Sequence, residues 1–135
     1  MSLNLSRNGR ARYQAVNNTG AVLDRPPIDL VVLVYERIDD KLLLAEQAVA
    51  TNNTAQLGEQ MQQATDLLQQ GLVATLDFER GGDVALNLGR VYDYCQRRML
   101  QGHLRRDVEA LREARKLLAE LREGWVGIQQ GKATG

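Results

Sequence analysis

The sequence predicts an all-α protein folded as an antiparallel, up-down-up-down four-helix bundle. Apolar residues recur every three or four positions in four successive stretches, as they do on one face of a helix. No long stretch alternates apolar and polar residues with the period of two that a half-buried strand requires. Short connections between the stretches favour antiparallel neighbours. With 135 residues, the chain is long enough to bury one hydrophobic core.

Residues 1–27 differ in composition from the rest and are expected to form a flexible N-terminal arm. They carry four arginines against one acidic residue, Asp24, and contain few apolar residues. Pro26-Pro27 marks the end of the arm, because proline is tolerated only in the first turn of a helix. The bundle is expected over residues 28–128, and a disordered tail of small and polar residues over 129–135.

The first predicted helix is apolar over more of its circumference than a surface helix needs. Its core stripe consists of Val31, Tyr35, Ile38, Leu42, Ala45 and Val49. Outside this stripe lie Leu30, Leu33, Val34, Leu43 and Leu44. Surplus apolar surface of this kind indicates a partner or ligand surface, or a seam between copies of the chain.

The second and fourth predicted helices each have an N-cap candidate, Asn53 and Asp107. The second helix has a glutamine-rich exposed face and the stripe Leu57, Met61, Ala64, Leu68, Leu72 and Leu76. The fourth stretch has the heptad positions Leu104, Leu111, Leu118 and Trp125, with Ala114, Leu121 and Ile128 between them.

The third helix is predicted to follow a chain break at Gly81-Gly82, with Asp83 as its cap and Gly102 as its C-terminal stop. Its expected stripe is Val84, Leu88, Val91, Cys95 and Met99. Tyr92 and Tyr94 must face different sides of this helix, and Tyr92 is the one expected inside. Both tyrosines belong to a mainly polar cluster, and two interpretations of it are equally well supported: a surface that binds a partner, or hydrogen bonding within the bundle. The cluster consists of Asn87, Arg90, Tyr92, Asp93, Tyr94, Arg97 and Arg98.

Several classes of function find no support in the composition. One histidine, His103, and one cysteine, Cys95, provide neither a zinc site nor a di-iron site, so no metal and no cofactor is expected. The formal net charge of zero argues against a nucleic-acid partner. No apolar run approaches the roughly 20 residues that span a bilayer, and no signal peptide is present, so a cytoplasmic protein without membrane insertion is expected. No catalytic constellation stands out.

The central motif LDFERGGDVALNL, residues 76–88, is followed by YDY at 92–94 and RRML at 97–100. The start of the chain adds Tyr13-Gln14, and Pro27 followed by LVVLVY at 30–35. The last helix adds Asp107, Leu111, Leu117-Leu118, Leu121 and Trp125. In these features the chain resembles the flagellar secretion chaperones of the FliS type, from about Tyr13 to Trp125.

The resemblance implies a non-catalytic helical bundle that works in the cytoplasm. Such proteins bind the C-terminal segment of flagellin, which is disordered when free, prevent its premature polymerisation, and deliver it to the export gate of the flagellar type III apparatus. The arm, with Tyr13, is implied to lie over part of the groove when no client is bound. Together with the surplus apolar positions, the resemblance gives these candidate partner-binding residues: Tyr13, Leu30, Val31, Val34, Tyr35, Ile38, Asn87, Tyr92, Tyr94, Arg97 and Arg98.

The opening of the first helix departs from the family pattern, as does the end of the third. Pro26 stands where the family has a small polar residue, and Ile28-Asp29 replace basic residues. Glu36-Arg37 and His103 also differ. A divergent paralogue with another flagellar client therefore stays open. So does a regulatory or structural bundle that homodimerises through its extra apolar face, and we expect a monomer or a weak homodimer.

Overall fold

The computed structural model describes residues 27–134 and confirms the all-α four-helix bundle. Its helices are α1 (Ile28–Ala50), α2 (Thr54–Leu67), α3 (Phe78–Arg105) and α4 (Val108–Thr134). A π-helical turn, Leu68–Leu72, and a 3₁₀ turn, Val73–Thr75, continue α2. No strand occurs within this described range. Apart from Pro27, the predicted arm lies outside it.

The helices pack as antiparallel neighbours. α1 packs against α2 and α4, and α4 also packs against α3, while the contact between α2 and α3 is the least extensive. Ion pairs between α1 and α4 show the direction: Glu36, early in α1, meets Arg122 at 3.2 Å, and Glu46, late in α1, meets Arg112 at 3.4 Å. An early residue of α1 therefore contacts a late residue of α4, and a late residue of α1 contacts an early residue of α4, so the two helices are antiparallel.

The core contains the predicted stripe of α1. Val31, Tyr35, Ile38, Leu42 and Ala45 are buried, and Val49 packs against them. The surplus leucines of α1 stay partly exposed: Leu33 at 41%, Leu43 at 39% and Leu44 at 36%. Because these side chains are not fully buried in the core, α1 contributes apolar surface to the outside of the bundle.

Both predicted N-caps of α2 and α4 are confirmed. The side chain of Asn53 accepts a hydrogen bond from the backbone N–H of Gln56 at 3.0 Å. The carboxylate of Asp107 accepts one from the N–H of Ala110 at 3.2 Å. These contacts satisfy N–H groups that the first helical turn leaves without partners.

The start of α3 differs from the prediction. Asp77, and not Asp83, caps the helix by accepting hydrogen bonds from the N–H groups of Glu79 and Arg80. The predicted break is present as a kink inside α3, at Gly82, whose φ of 50° and ψ of −125° are non-helical. Glycine suits this backbone position because it has no Cβ to clash there.

The buried face of α3 differs from the predicted stripe at its first position. The predicted stripe begins at Val84, but this residue is 68% exposed and its neighbour Ala85 is buried. Farther along, Tyr92, Cys95 and Met99 are buried. The inward orientation predicted for Tyr92 is therefore confirmed, and the prediction of a buried Val84 is wrong.

The hairpin between α3 and α4 also corrects the prediction. Gly102 does not end α3, which continues to Arg105 before Arg106 adopts a left-handed conformation with φ of 53°. Gly102 is instead a close contact, because a Cβ there would lie 2.4 Å from Cδ2 of Leu111. Leu104, predicted as the first heptad position of the fourth stretch, belongs to α3 and is 71% exposed.

α4 extends beyond residue 128, into the stretch 129–135 for which the sequence predicts a disordered tail. Its helix continues to Thr134. The side chain of Gln129 donates a hydrogen bond to Asp29 in the first turn of α1. This contact joins the C-terminal part of α4 to the beginning of α1, which gives the additional turn a tertiary partner.

Candidate binding cleft

A cleft of about 810 Å³ opens at the end of the bundle where α1 begins and α4 ends. Four parts of the chain form it: the start of α1, the segment that follows α2, the first half of α3, and the last turns of α4. The lining residues are Pro27, Ile28, Asp29, Val31, Leu72, Thr75, Leu76, Asp77, Gly81, Val84, Ala85, Leu88, Tyr92, Trp125 and Gln129.

The cleft is mainly apolar, and its charged groups are acidic. Its aliphatic lining includes Leu72, Leu76 and Leu88, and its two charged side chains are Asp29 and Asp77. No lysine or arginine occurs among the lining residues of the described chain. The cleft therefore suits an apolar occupant.

The backbone after α2 creates the opening. Regular α-helical geometry ends at Leu67, and the π-helical and 3₁₀ turns follow before Leu76 becomes extended. Within the π-helical turn, Gly71 lies against α1, because a Cβ at this position would be 2.8 Å from Cγ1 of Val34. π-helical turns in helices are often found at functional sites. Here the turn adjoins the cleft, since Leu72 is both its last residue and part of the lining.

Tyr35, Tyr92 and Trp125 form a hydrogen-bonded cluster beside the cleft. The two tyrosine oxygens are 2.5 Å apart, and Nε1 of Trp125 donates to the Tyr35 oxygen at 3.1 Å. Both tyrosines are 2% exposed. Burial raises the pKa of both hydroxyls above the ordinary value of 10.0, so both remain protonated at neutral pH.

A second polar cluster lies between α3 and α4, away from the cleft lining. Glu113 accepts hydrogen bonds from the Tyr94 hydroxyl at 2.8 Å and from Nε of Arg98 at 2.5 Å. The hydrogen bond from Tyr94 is the largest cause of the lowered pKa of Glu113. On the surface of α3, Arg97 pairs with Asp93 at 3.1 Å. The contacts of Glu113 join α3 to α4, whereas the pair of Arg97 and Asp93 lies on the surface of α3.

The groups that could carry metal or thiol chemistry are few. Burial raises the pKa of the Cys95 thiol to about 12, which keeps it protonated at neutral pH. Across residues 27–131, no group of three or more His, Cys, Asp and Glu side chains is placed to hold a metal ion. No helix in the described range combines the length and hydropathy needed to cross a membrane.

The structure places the predicted partner-binding residues in several different parts of the bundle. Val31 and Tyr92 line the cleft, and Tyr35 contacts Tyr92 from the core. Ile38 is fully buried in the core, while Leu30 and Val34 are half-buried. Asn87, Tyr94, Arg97 and Arg98 do not line the cleft, and Tyr13 lies outside the described residues.

Sequence reasoning assigned most of the other lining residues to the core or gave them no role. Leu72, Leu76, Leu88 and Trp125 occupy stripe positions, which periodicity assigns to the interior. Each of them also belongs to the lining of the cleft. The available signal was the Gly81-Gly82 pair, which marks irregular backbone beside the cleft.

Comparison with known proteins assigns the chain to a family. The family model described as "Flagellar protein FliS" matches residues 9–132. The "Flagellar secretion chaperone FliS" of Salmonella typhimurium is 33% identical over 120 residues, which cover 89% of each chain. The protein of the same description from Escherichia coli is 28% identical over 117 residues, 87% of this chain and 86% of that one.

A further relative is the "Flagellar secretion chaperone FliSB" of Pseudomonas aeruginosa. It is 32% identical over 117 residues, which cover 87% of this chain and 92% of the relative. The similarities thus extend over almost the whole length of the relatives as well as of this chain. The resemblance found in the central motif is confirmed, and the chain belongs to the FliS family of flagellar secretion chaperones.

Proposed function

We propose that this protein is a cytoplasmic export chaperone that binds the C-terminal segment of flagellin. In this proposal it prevents premature polymerisation of the subunit and delivers it to the flagellar type III export apparatus. Membership of the FliS family supports the chaperone role, which is non-enzymatic. The observation that carries the choice of site is the apolar cleft of about 810 Å³ at one end of the bundle.

The chemistry of the cleft fits a client that folds when it binds. Ordering a disordered segment costs free energy, so its apolar side chains must find surface to bury. Leu76 and Leu88 line the cleft, are half-buried and provide such surface. An amphipathic helix placed against them would use the helix-in-groove mode of recognition.

The outside of α1 offers additional apolar surface for the same client. Leu33, Leu43 and Leu44 are each exposed by about two fifths, at 41%, 39% and 36%. A long client segment could pass from the cleft along such positions, which spreads the contact energy over a large surface. Because part of that energy is spent on ordering the client, binding can remain reversible and the subunit can be handed on.

Isothermal titration calorimetry with a peptide of the flagellin C-terminal segment tests the proposal. We expect saturable binding with a negative heat-capacity change, because apolar surface is buried. A peptide of the same composition in scrambled order serves as the control. If the folded protein binds neither peptide, flagellin is not the client, and peptides from other flagellar subunits then test the divergent-paralogue alternative.

A homodimer is the second candidate, and the exposed leucines of α1 are the observation that favours it. If Leu33, Leu43 and Leu44 formed a seam between two copies, that face would not be available to a client. Sedimentation equilibrium without any peptide distinguishes the two. We expect a monomer or a weak dimer that the peptide dissociates, whereas a tight dimer that persists with bound peptide contradicts the use of this face by the client.

A further inference from the structure

The second half of α3 carries two leucines on its outer side, away from the cleft. Leu100 is 56% exposed and Leu104 is 71% exposed. They are four residues apart, so they are neighbours on one face of the helix and form an apolar ridge. Neither lines the cleft, and Leu104 lies twelve residues beyond Tyr92 of the lining, about 18 Å along the helix axis. The ridge is therefore at the opposite end of the bundle from the cleft.

The two helices that flank α3 leave this ridge uncovered. Gln96 of α3 is hydrogen-bonded to Gln69, which follows α2, and Arg98 of α3 is hydrogen-bonded to Glu113 of α4. At 100° per residue, Gln96 and Arg98 lie on opposite sides of the ridge. The leucines therefore point away from both neighbouring helices, in agreement with their exposure.

The surroundings of the ridge are positively charged. Residues 97–106 include four arginines and one histidine but no Asp or Glu. Within residues 27–131, no carboxylate lies within ion-pair distance of Arg105 or Arg106, and Arg106 donates to the hydroxyl of Thr54 at 2.8 Å. The negative end of the α3 dipole favours cations in the last turn, but it does not explain the exposed leucines among them.

This combination of groups defines the chemistry of a partner that covers the ridge. Burial of the two leucines gains free energy where the partner is apolar. Arginines without a carboxylate partner favour acidic groups at the edge of the contact. A ridge of residues four apart on one helix packs into the groove of another helix. A helix with a narrow apolar strip bordered by acidic residues meets all three requirements.

We propose that the distal face of α3, formed by Leu100, Leu104, Arg105 and Arg106, binds an acidic amphipathic helix of another protein. The distal face is a second interaction surface, separate from the cleft. One partner can therefore occupy the cleft while another is bound at the opposite end of the bundle. The proposal does not depend on which client occupies the cleft.

Two synthetic peptides of about 15 residues, each held helical by a covalent staple, test the charge preference. Both have the same strip of leucines, and the bordering positions are glutamate in one peptide and lysine in the other. In NMR titrations of the full-length protein, we expect the glutamate peptide to bind at least about tenfold more tightly, with an affinity that falls as salt is added. Backbone resonances of the distal face should shift, whereas the indole N–H of Trp125, which lines the cleft, should not.

Leu104→Gln and Arg105→Glu test the distal face itself, and Val84→Gln is the matched control. Val84 is 68% exposed, close to the 71% of Leu104, but it lines the cleft. We expect Leu104→Gln to bind the glutamate peptide about tenfold more weakly, and Arg105→Glu to shift the preference toward the lysine peptide. Val84→Gln should bind the glutamate peptide as the parent does.

Three results would overturn the proposal. Equal affinity for the two peptides would mean that the distal face has no preference for an acidic partner. Displacement of the glutamate peptide by the flagellin C-terminal peptide would mean that the client covers this face. A dimer of the free protein that Leu104→Gln converts to a monomer in sedimentation equilibrium would make the face an interface between copies of the chain. Binding of the glutamate peptide without any binding of the flagellin peptide contradicts only the proposed function.

Discussion

Tyr92 and Tyr94 show how position on one helix separates structural from surface roles. Tyr92 is 2% exposed and shares a hydrogen bond with Tyr35 in the core, while Tyr94 is 38% exposed and donates to Glu113 on α4. The two residues are only two positions apart, which on a helix places them on different faces. Periodicity alone was sufficient to orient Tyr92 inward, because its neighbours Leu88 and Val91 belong to the same stripe.

Replacing each tyrosine by alanine should separate their contributions to stability. Tyr92→Ala removes a buried aromatic ring and should lower the free energy of unfolding by about 3–5 kcal/mol. Tyr94→Ala removes an exposed contact and should cost much less. Urea denaturation followed by circular dichroism measures both. Equal losses in the two variants would contradict the assignment of Tyr92 to the core.

Glu113 should make the stability of the bundle depend on pH in the acid range. The hydrogen bond from Tyr94, followed by the contacts with Arg98, lowers the pKa of this carboxyl in the folded protein below its usual value of 4.5. A lowered folded pKa means that the contribution is complete above about pH 4.5 and is lost as the pH falls through the folded pKa.

The variant Glu113→Gln tests this prediction. It should be less stable than the parent at pH 7, and the difference should shrink as the pH falls below about 4.5. Urea denaturation at several pH values measures the difference. Glu120→Gln, which removes a carboxylate at an exposed position of the same helix, is the control and should be about as stable as the parent at pH 7. A constant difference between parent and Glu113→Gln at all pH values would argue against the role of this carboxylate.

At the scale of helices, local capping signals predicted the starts of α2 and α4, whereas the start predicted for α3 was wrong. Asn53 and Asp107 were identifiable as caps because the cap and its N–H partners lie within three residues. For α3, the sequence predicts the cap at Asp83, whereas the structure places it at Asp77. The structure packs Phe78 near Gly89, since a Cβ at Gly89 would lie 3.8 Å from Cε1 of Phe78. This contact lies within α3, on the two sides of the kink at Gly82, and accompanies the earlier start at Asp77.

The close approach of α3 and α4 at Gly102 predicts a strong effect of a single methyl group. In Gly102→Ala the added Cβ would lie 2.4 Å from Cδ2 of Leu111 and 3.1 Å from the backbone oxygen of Asp107, so the hairpin must shift. We expect a loss of about 1–3 kcal/mol in the free energy of unfolding.

Gly124→Ala is the matched control for this change. Gly124 lies within α4, where an added Cβ would have no atom within 4 Å. Because alanine favours the helix more than glycine does, the control should gain about 0.5–1 kcal/mol. Chemical denaturation compares the two variants. Equal stability of Gly102→Ala and the parent would mean that the hairpin can open at little cost.

At the scale of the whole molecule, the sequence was informative about the bundle and the family but less so about the site. Val31 and Tyr92 were named as candidates and line the cleft. Leu76 and Trp125 were assigned to core stripes, because periodicity reports the face of a helix and not whether neighbouring helices diverge at one end. The cleft lies beside the π-helical turn and the kink at Gly82, since Leu72 and Gly81 belong to its lining.

Deletion of residues 1–25 tests whether the bundle is independent of the segment that precedes it. The core residues of the described chain run from Val31 to Leu118 and pack against one another, and residues 1–25 contain few apolar side chains that could add to this core. We therefore expect the shortened protein to unfold cooperatively, with a melting temperature within about 4 °C of the parent. Thermal unfolding followed by circular dichroism measures this. A collapse of the melting temperature would show that the deleted residues contribute to the core.

The central claim is that the apolar cleft holds the flagellin segment, and two exposed positions of α3 allow a direct test. Val84 lines the cleft and is 68% exposed, whereas Leu104 lies outside its lining and is 71% exposed. Glutamine at either position leaves the net charge unchanged, and because both sites are exposed we expect little effect on folding. Only at Val84 does the amide enter the proposed contact surface.

The measurement is a calorimetric titration of the flagellin C-terminal peptide into Val84→Gln, Leu104→Gln and the parent protein. We predict about tenfold weaker binding for Val84→Gln, because apolar contact is lost and an amide is desolvated, and unchanged binding for Leu104→Gln. Parent-like affinity in Val84→Gln together with a loss in Leu104→Gln would contradict the account, since the client would then bind elsewhere on the bundle.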